Sequence, residues 1–392
     1  MDILRMGIVG IGNMGSAHAV QLFEKKVKGA VLTAVCDISK ERLQWAQERF
    51  GSQVIQYEDY HQMIESGQID AVLIATPHKL HPVVAMDAFV HHLSVLTEKP
   101  AGIDTGNVRR MNQAAKESGK VFGIMLNQRT NPLFNRLRKL VHAGELGEVK
   151  RFVWIINNWY RTQAYYDSGD WRATWNGEGG GVLMNQCPHN LDIWQWIMGM
   201  PKRVRAFCIE GHYHRISVED DVTIYAEYEN GATATFITST GEYPGTNRVE
   251  ISGTRGKAVI EDGMLKLYML EQDEREICYH SESGMPQEKV QYTEIKQQDA
   301  GGEHLGIMQN FTNAVLTGEK LIAPGEDGIY SLMIGNAAYL STWKDSWITL
   351  PLDEEEYMNY LKKKQEEEIR PQRGIQTEEM SGEYSQRWSV RW

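Results

Sequence analysis

The sequence predicts an α/β chain: an N-terminal doubly wound parallel sheet, followed by an α+β domain dominated by strands. Three observations predict it. Short apolar runs alternate with helical segments through residues 1–128, the rhythm of a parallel sheet covered by helices. Over residues 129–351 that rhythm gives way to strands alternating apolar and polar residues, as in a sheet with one buried face. And 392 residues exceed one compact core but fit two domains.

The elements follow in order. Residues 6–9 read as a buried strand and 16–26 as the helix after it, and the pair repeats at 31–36 and 40–50. A β-rich run at 71–75 follows Asp70, then a helix over 81–91, a strand at 94–97, a helix over 107–118 and a strand at 121–126. Residues 135–143 are helical, and 149–157 opens the strand-dominated part. Further strands are expected at 204–209, 222–229, 232–239, 247–252 and 257–261, with Thr233-Ala234-Thr235-Phe236-Ile237 showing the alternation. Helices over 188–198, 305–316 and 327–342 should cover that sheet. The last stretch, 352–392, is a charged C-terminal tail with Asp353-Glu354-Glu355-Glu356 and a second charge block at 362–368. Its terminus carries Trp388 and Trp392, apolar surface that makes the tail a candidate intersubunit arm.

Hydrophobic residues at 42% and charged residues at 24% exclude the disordered and fibrous classes. No apolar run is long enough to cross a bilayer, and Met1-Asp2-Ile3-Leu4-Arg5 lacks a signal-peptide layout. A cytoplasmic location and no membrane partner are therefore expected. A net charge of −11 disfavours nucleic acid as a partner. Cys36, Cys187, Cys208 and Cys278 form no CxxC pair, which fits a reduced compartment. His78 and His81, His91 and His92, and His212 and His214 are close pairs without a second pair at ligand spacing, so no metal is expected.

Gly10-Ile11-Gly12-Asn13-Met14-Gly15 follows a strand, opens a helix and sits in a βαβ unit. In that context the first glycine allows a tight turn, the second admits a pyrophosphate to the backbone, and the third lets helix and strand pack. The helix N-terminus offers amides and a favourable dipole to the anion. Asp37 ends the second strand about 20 residues later, where an acid accepts from the adenosine ribose hydroxyls and repels a 2′-phosphate. NAD is thus favoured over NADP, although Lys40 and Arg42 lie close by. The competing role for Asp37 is to cap the helix that starts near Ser39.

Three more segments fall near the carboxyl edge of the sheet, where open α/β folds bind ligands: 75–81, Thr97-Glu98-Lys99-Pro100, and Leu126-Asn127-Gln128-Arg129. The glycine loop, Glu98-Lys99-Pro100, Trp171-Arg172, and Gly179-Gly180-Gly181-Val182-Leu183 leading to His189 together resemble one family over about residues 5 to 350. It is the glucose–fructose oxidoreductase and inositol dehydrogenase family (Gfo/Idh/MocA). The charged tail lies outside the family's usual pattern.

The resemblance implies an N-terminal Rossmann domain and a C-terminal α+β domain with a large, mostly antiparallel sheet for substrate binding and oligomerisation. The active site would lie between them. It implies hydride transfer between NAD and a carbinol carbon of a sugar, glycoside or cyclitol by a homodimer or homotetramer. The segment from Asn185 to Asp192 resembles a branch associated with oxidation at sugar C3. Lys99 and His189 would flank the reacting carbinol, and Thr76, Pro77, His81, Glu98, Asn127, Trp171 and Arg172 would lie against the cofactor.

The chemistry suits those roles. Oxidising a secondary alcohol needs a base for the hydroxyl proton, and His189 has an intrinsic pKa near working pH. Pro188 would put it in the opening turn of a helix, whose dipole disfavours imidazolium. Lys99 would stabilise negative charge on the same oxygen. Many relatives carry Asp four residues before the histidine, where this chain has Asn185; Asp192, on the same helical face as His189, is the candidate for the missing charge. Trp154, Trp159, Tyr160, Tyr165, Tyr166, Trp171 and Trp175, with Arg161 and Arg172 among them, supply ring faces and polar groups suited to a sugar. Asn185, Asp192, Tyr160 and Arg172 are the candidate substrate contacts.

Two other readings stay open. One is an NAD-dependent glycosidase that oxidises the sugar transiently, eliminates the aglycone and returns the hydride. The other is a catalytically silent NAD(H)-binding regulator, against which the pairing of Lys99 with His189 weighs.

Overall fold

The computed structural model describes residues 3–169, 171–299 and 301–369. Six strands form an all-parallel sheet: β1 Leu4–Val9, β2 Ala30–Cys36, β3 Ile55–Tyr57, β4 Ala71–Ile74, β5 Ser94–Thr97 and β6 Phe122–Ile124. Their order is β3-β2-β1-β4-β5-β6. β4, β5 and β6 are buried at every residue, as short apolar strands covered on both faces must be. The winding reverses between β1 and β4, so the carboxyl ends of those two strands open the crevice where α/β sheets bind ligands.

Helix Lys40–Phe50, β5 and helix Pro188–Met198 match their expected bounds residue for residue. The first helix, Asn13–Phe23, begins earlier than expected because it starts inside the glycine loop, with Gly12 as its N-cap. β3 and the helix Tyr60–Glu65 were not expected. β3 is three residues at the sheet edge with its first residue exposed, which leaves no apolar run to read.

The second sheet has nine strands in the order β14-β13-β12-β11-β7-β10-β9-β8-β15. They are β7 Val149–Ile156, β8 Arg203–Glu210, β9 Glu219–Glu227, β10 Thr233–Ser239, β11 Asn247–Gly253, β12 Gly256–Glu261, β13 Met264–Leu270, β14 Val290–Lys296 and β15 Ile348–Thr349. β7 and β10 pair in parallel, and the other neighbours pair antiparallel. β13 and β14 extend the sheet beyond expectation. β13 is rich in Leu and Met rather than β-branched residues, and β14 is exposed along nearly its whole length.

One face of this sheet carries the helix that holds His189. Trp194 of Pro188–Met198 stacks between Phe152 of β7 and Phe236 of β10, with ring centroids 5.8 and 5.9 Å away. Beside it, helix Gly328–Lys344 locks onto β8, where Ser341 Oγ accepts from Ala206 N and Thr342 Oγ1 from Cys208 N.

The tail is described as far as residue 369. Its first part is a helix, Glu354–Glu366, capped by Asp353 and docked on its own chain. Tyr357 and Leu361, four residues apart and so on one helical face, are fully buried. Tyr357 and Tyr360 both stack on Trp343. Trp388 and Trp392 lie outside the described residues.

Candidate active site

The glycine loop is fitted backbone to backbone. Gly10 has φ +86°, and a Cβ there would lie 2.7 Å from the Ala75 carbonyl oxygen. A Cβ on Gly15 would lie 1.8 Å from the Gly10 carbonyl oxygen, while one on Gly12 would meet nothing within 4 Å. Space therefore opens where the loop faces out, in front of a helix N-terminus with no side-chain cap. Asn13 and Met14 form its first turn. The buried Asn13 Oδ1 and Thr76 Oγ1 have no hydrogen-bond partner among the described residues. An uncapped helix start and open space together fit a bound dinucleotide pyrophosphate, and the Thr76 hydroxyl is free to donate to the cofactor.

Asp37 stands at the carboxyl end of β2, where Oδ2 accepts from Ile11 N at 2.8 Å and Oδ1 from Ser39 N at 2.9 Å. Ser39, not Asp37, caps the following helix. The acid thus ties the glycine loop to β2 and keeps lone pairs for another donor.

The expected cofactor contacts His81 and Glu98 have protein partners. The ring nitrogens of His81 face Thr76 O at 2.8 Å and Pro100 O at 2.7 Å, and the residue is buried, so it ties those two segments together. Burial lowers its pKa, so the ring is neutral and donates to one carbonyl at a time. Glu98 is likewise engaged: Oε1 pairs with His18 Nε2 at 2.7 Å and Oε2 accepts from Lys99 N at 3.1 Å. Burial alone would raise the Glu98 pKa, but the His18 contact and nearby His304 and Lys99 overcome it and hold it at about 2. Asn127 is buried with Nδ2 3.4 Å from His304 Nδ1.

The partly buried Lys99 lies two residues beyond β5 and points across to the second half of the chain, where its Nζ donates to Asn185 O at 2.8 Å. Burial lowers its pKa, and Glu98 and Glu178 oppose that shift. His189, 1% exposed, sits behind Pro188 in the opening turn of its helix. Burial and then the Lys99 charge push its pKa well down. An ammonium and a neutral imidazole are thus held in one electrostatic neighbourhood.

The glycine run that leads to His189 is held by a residue the sequence did not flag. Glu219 Oε2 accepts from Gly181 N at 2.8 Å, and its Oε1 from Leu183 N at 3.0 Å and Tyr339 OH at 2.7 Å. Burial raises its pKa to about 8. His18 and Glu178 were also missed. Glu178 carried one signal, being an acid placed directly before Gly179-Gly180-Gly181.

Arg172 lies with its guanidinium 4.4 Å from the Tyr165 ring and 4.7 Å from Trp171, and NH1 donates to Tyr165 OH at 2.7 Å. Trp171 meets His78 edge-on at 6.1 Å, and His78 Nδ1 lies 3.1 Å from Glu178 O, so segment 171–178 bridges to the Pro77–His78 turn. Two proposed substrate contacts, Tyr160 and Asp192, have other partners. Tyr160 lies at the surface, 41% exposed, against Tyr243. Asp192 is buried and gives Oδ2 to Arg129 Nε at 2.8 Å and Oδ1 to Arg129 NH2 at 2.7 Å. Arg129 also holds Asp327 at 2.6 Å. Helical spacing alone put Asp192 beside His189, but a fully buried guanidinium claims it first.

A Rossmann sheet with an intact glycine loop, facing a lysine and a neutral histidine, defines an NAD-binding oxidoreductase. Residues 4–126 match the oxidoreductase family with an NAD-binding Rossmann fold, and residues 134–259 the GFO/IDH/MocA C-terminal domain. The chain belongs to the Gfo/Idh/MocA family, and its cofactor is NAD. It is 24% identical to a myo-inositol 2-dehydrogenase of Thermotoga maritima over 342 residues, 86% of this chain and 95% of that enzyme. An inositol 2-dehydrogenase of Salmonella typhimurium is 32% identical over 146 residues, 37% of this chain and 43% of that enzyme. The WlbA dehydrogenase from Bordetella pertussis, solved with NADH and UDP-GlcNAcA, superposes with a TM-score of 0.74 at 26% identity, covering 90% of this chain and all of that one.

Proposed function

We propose that the protein is an NAD-dependent dehydrogenase that oxidises, or in reverse forms, a secondary carbinol on a sugar, glycoside or cyclitol. The observation that carries this reading is the bond from Lys99 Nζ to Asn185 O, four residues before His189. It joins a strand tip of the Rossmann sheet to the segment that presents the base.

His189 accepts the hydroxyl proton, being kept neutral by burial and by the Lys99 charge. Lys99 donates to the same oxygen and stabilises the negative charge that develops on it. The Gly10–Gly15 loop would hold NAD, with Asp37 toward its ribose and Thr76 and Pro77 alongside, and NAD when bound would supply the hydride acceptor. Arg172, oriented by Tyr165, and Asn185 position the remaining hydroxyls. The low exposure of His189 keeps water from the base.

The test is reduced-nicotinamide absorbance on the purified protein after adding glucosides, free sugars or inositols. A rise with one substrate class is expected. No rise with any of them, with NAD still bound, would overturn the reading.

The same reading includes a homodimer or homotetramer in a reducing, cytoplasmic setting. Phe207 and Ile209 of β8 and Tyr225 of β9 are exposed on one sheet face, an apolar patch suited to a second copy. Cys36, Cys187 and Cys208 are buried free thiols.

A further inference from the structure

Glu178 has no part in the steps above, yet it lies at their centre. It is 1% exposed. Its Oε2 accepts from Ala173 N at 2.6 Å, its Oε1 from the side-chain amide of Asn185, and the Arg172 guanidinium stands 3.8 Å away. Asn185 in turn offers its backbone carbonyl to the Lys99 ammonium at 2.8 Å. Carboxylate, asparagine and ammonium are therefore linked in series.

A buried ammonium needs a counter-charge, because burial favours its neutral form. The groups that face Lys99 are few. Glu98 and Glu178 favour its charge and Arg172 opposes it, with the Cys187 thiol nearby. His78, His81, His189 and His304 also face it, and burial holds all four toward their neutral forms. Glu98 already meets His18 Nε2 and Lys99 N, and Asp192 is bound to Arg129. Glu178 is the acid whose contacts run to the segment Lys99 touches.

We propose that Glu178 is the counter-charge of Lys99, a positioning residue that acts through Asn185 where a carboxylate at position 185 would act directly. The value of that charge to turnover rests on the dehydrogenase reading; the charge itself does not.

The test titrates Lys99 without any sugar. Acetic anhydride acetylates only the neutral amine, so the extent of Lys99 acetylation against pH, read by peptide mass spectrometry on the NAD-loaded protein, has its midpoint at the lysine pKa. Glu178→Gln removes an opposite charge, so that midpoint falls by about one pH unit. Asn185→Asp in the Glu178→Gln background returns a carboxylate and brings the midpoint back up. Glu178→Ala removes the same charge with a different side chain and should lower the midpoint as well. If one of Glu178→Gln and Glu178→Ala does not fold, the other still carries the comparison. A midpoint unmoved by loss of Glu178, in whichever variant folds, overturns the proposal. A sugar panel that never reduces NAD would sink the dehydrogenase reading and leave this titration standing.

Discussion

At the glycine loop the site is shaped by backbone meeting backbone, with a Cβ on Gly15 placed 1.8 Å from a carbonyl oxygen five residues earlier. Across the cleft, segment 171–189 is held by carboxylates. Glu178 sits inside it, Glu219 grips Gly181 and Leu183 from β9, and Glu368 accepts from Trp175 N at 2.5 Å. The first region depends on local sterics, so distant changes should leave it alone. The second is assembled from long-range hydrogen bonds to acidic side chains, so residues far along the chain should tune it. Lys99 belongs to the first region by sequence and to the second by contact.

The largest effects are expected where the two regions meet. Lys99→Ala and His189→Ala should each lower turnover about 10²–10⁴-fold while NAD affinity stays within a few-fold. Steady-state kinetics beside NAD titration checks this, and lost NAD binding in either variant would break the division between regions. Because the His189 pKa lies well below 6.5, turnover should be insensitive to pH just below neutrality and fall only as pH drops through that lowered value. An acid limb near neutrality would remove His189 from the role of base.

Within the first region, Gly15→Ala has no room for its methyl and should cost about 1–3 kcal/mol or more, read as weakened NAD binding or a lowered melting temperature. Asp37→Ala comes next. It removes charge-assisted bonds to Ile11 N and Ser39 N and should weaken NAD by about tenfold, near 1.4 kcal/mol, while relaxing discrimination against NADP. An unchanged preference between the two cofactors would remove Asp37 from the ribose.

The same contrast explains what could be read from the sequence. The glycine loop and the bounds of helices Lys40–Phe50 and Pro188–Met198 were legible because their causes are adjacent in sequence: turn glycines, Ser39 as a cap, Pro188 in the first turn. Glu219 and Glu368 look like ordinary surface acids, and their roles come from partners 36 and 193 residues away. Asp192 was placed beside His189 because helical spacing is visible in sequence, whereas the competing Arg129, 63 residues earlier, is not. His81 and Glu98 were expected to be cofactor contacts from the family resemblance. The structure gives their polar atoms to Thr76 and Pro100 and to His18 and Lys99, pairings that only the folded topology creates.

The smallest expected effect tests the second region at its far end. Glu368, just beyond helix Glu354–Glu366, accepts from Trp175 N and from the Asn176 side chain at 2.9 Å, while Gln365 Nε2 donates to Trp175 O at 3.1 Å. This clasp holds the loop that carries Arg172 and Glu178, and Glu368 itself touches neither. Glu368→Ala should therefore raise KM for the sugar about three- to tenfold, leaving kcat and NAD affinity nearly unchanged, since loss of a charged hydrogen bond costs about 1.5–3 kcal/mol at most. Glu368→Gln keeps one acceptor for Trp175 N and should fall between. The helix beneath stays anchored by Tyr357 and Leu361, so the melting temperature should barely move. A Glu368→Ala variant with wild-type KM would show that segment 171–178 holds its shape without the tail, and would leave the long-range support of this region to Glu219 and to the contact of His78 with Glu178 O.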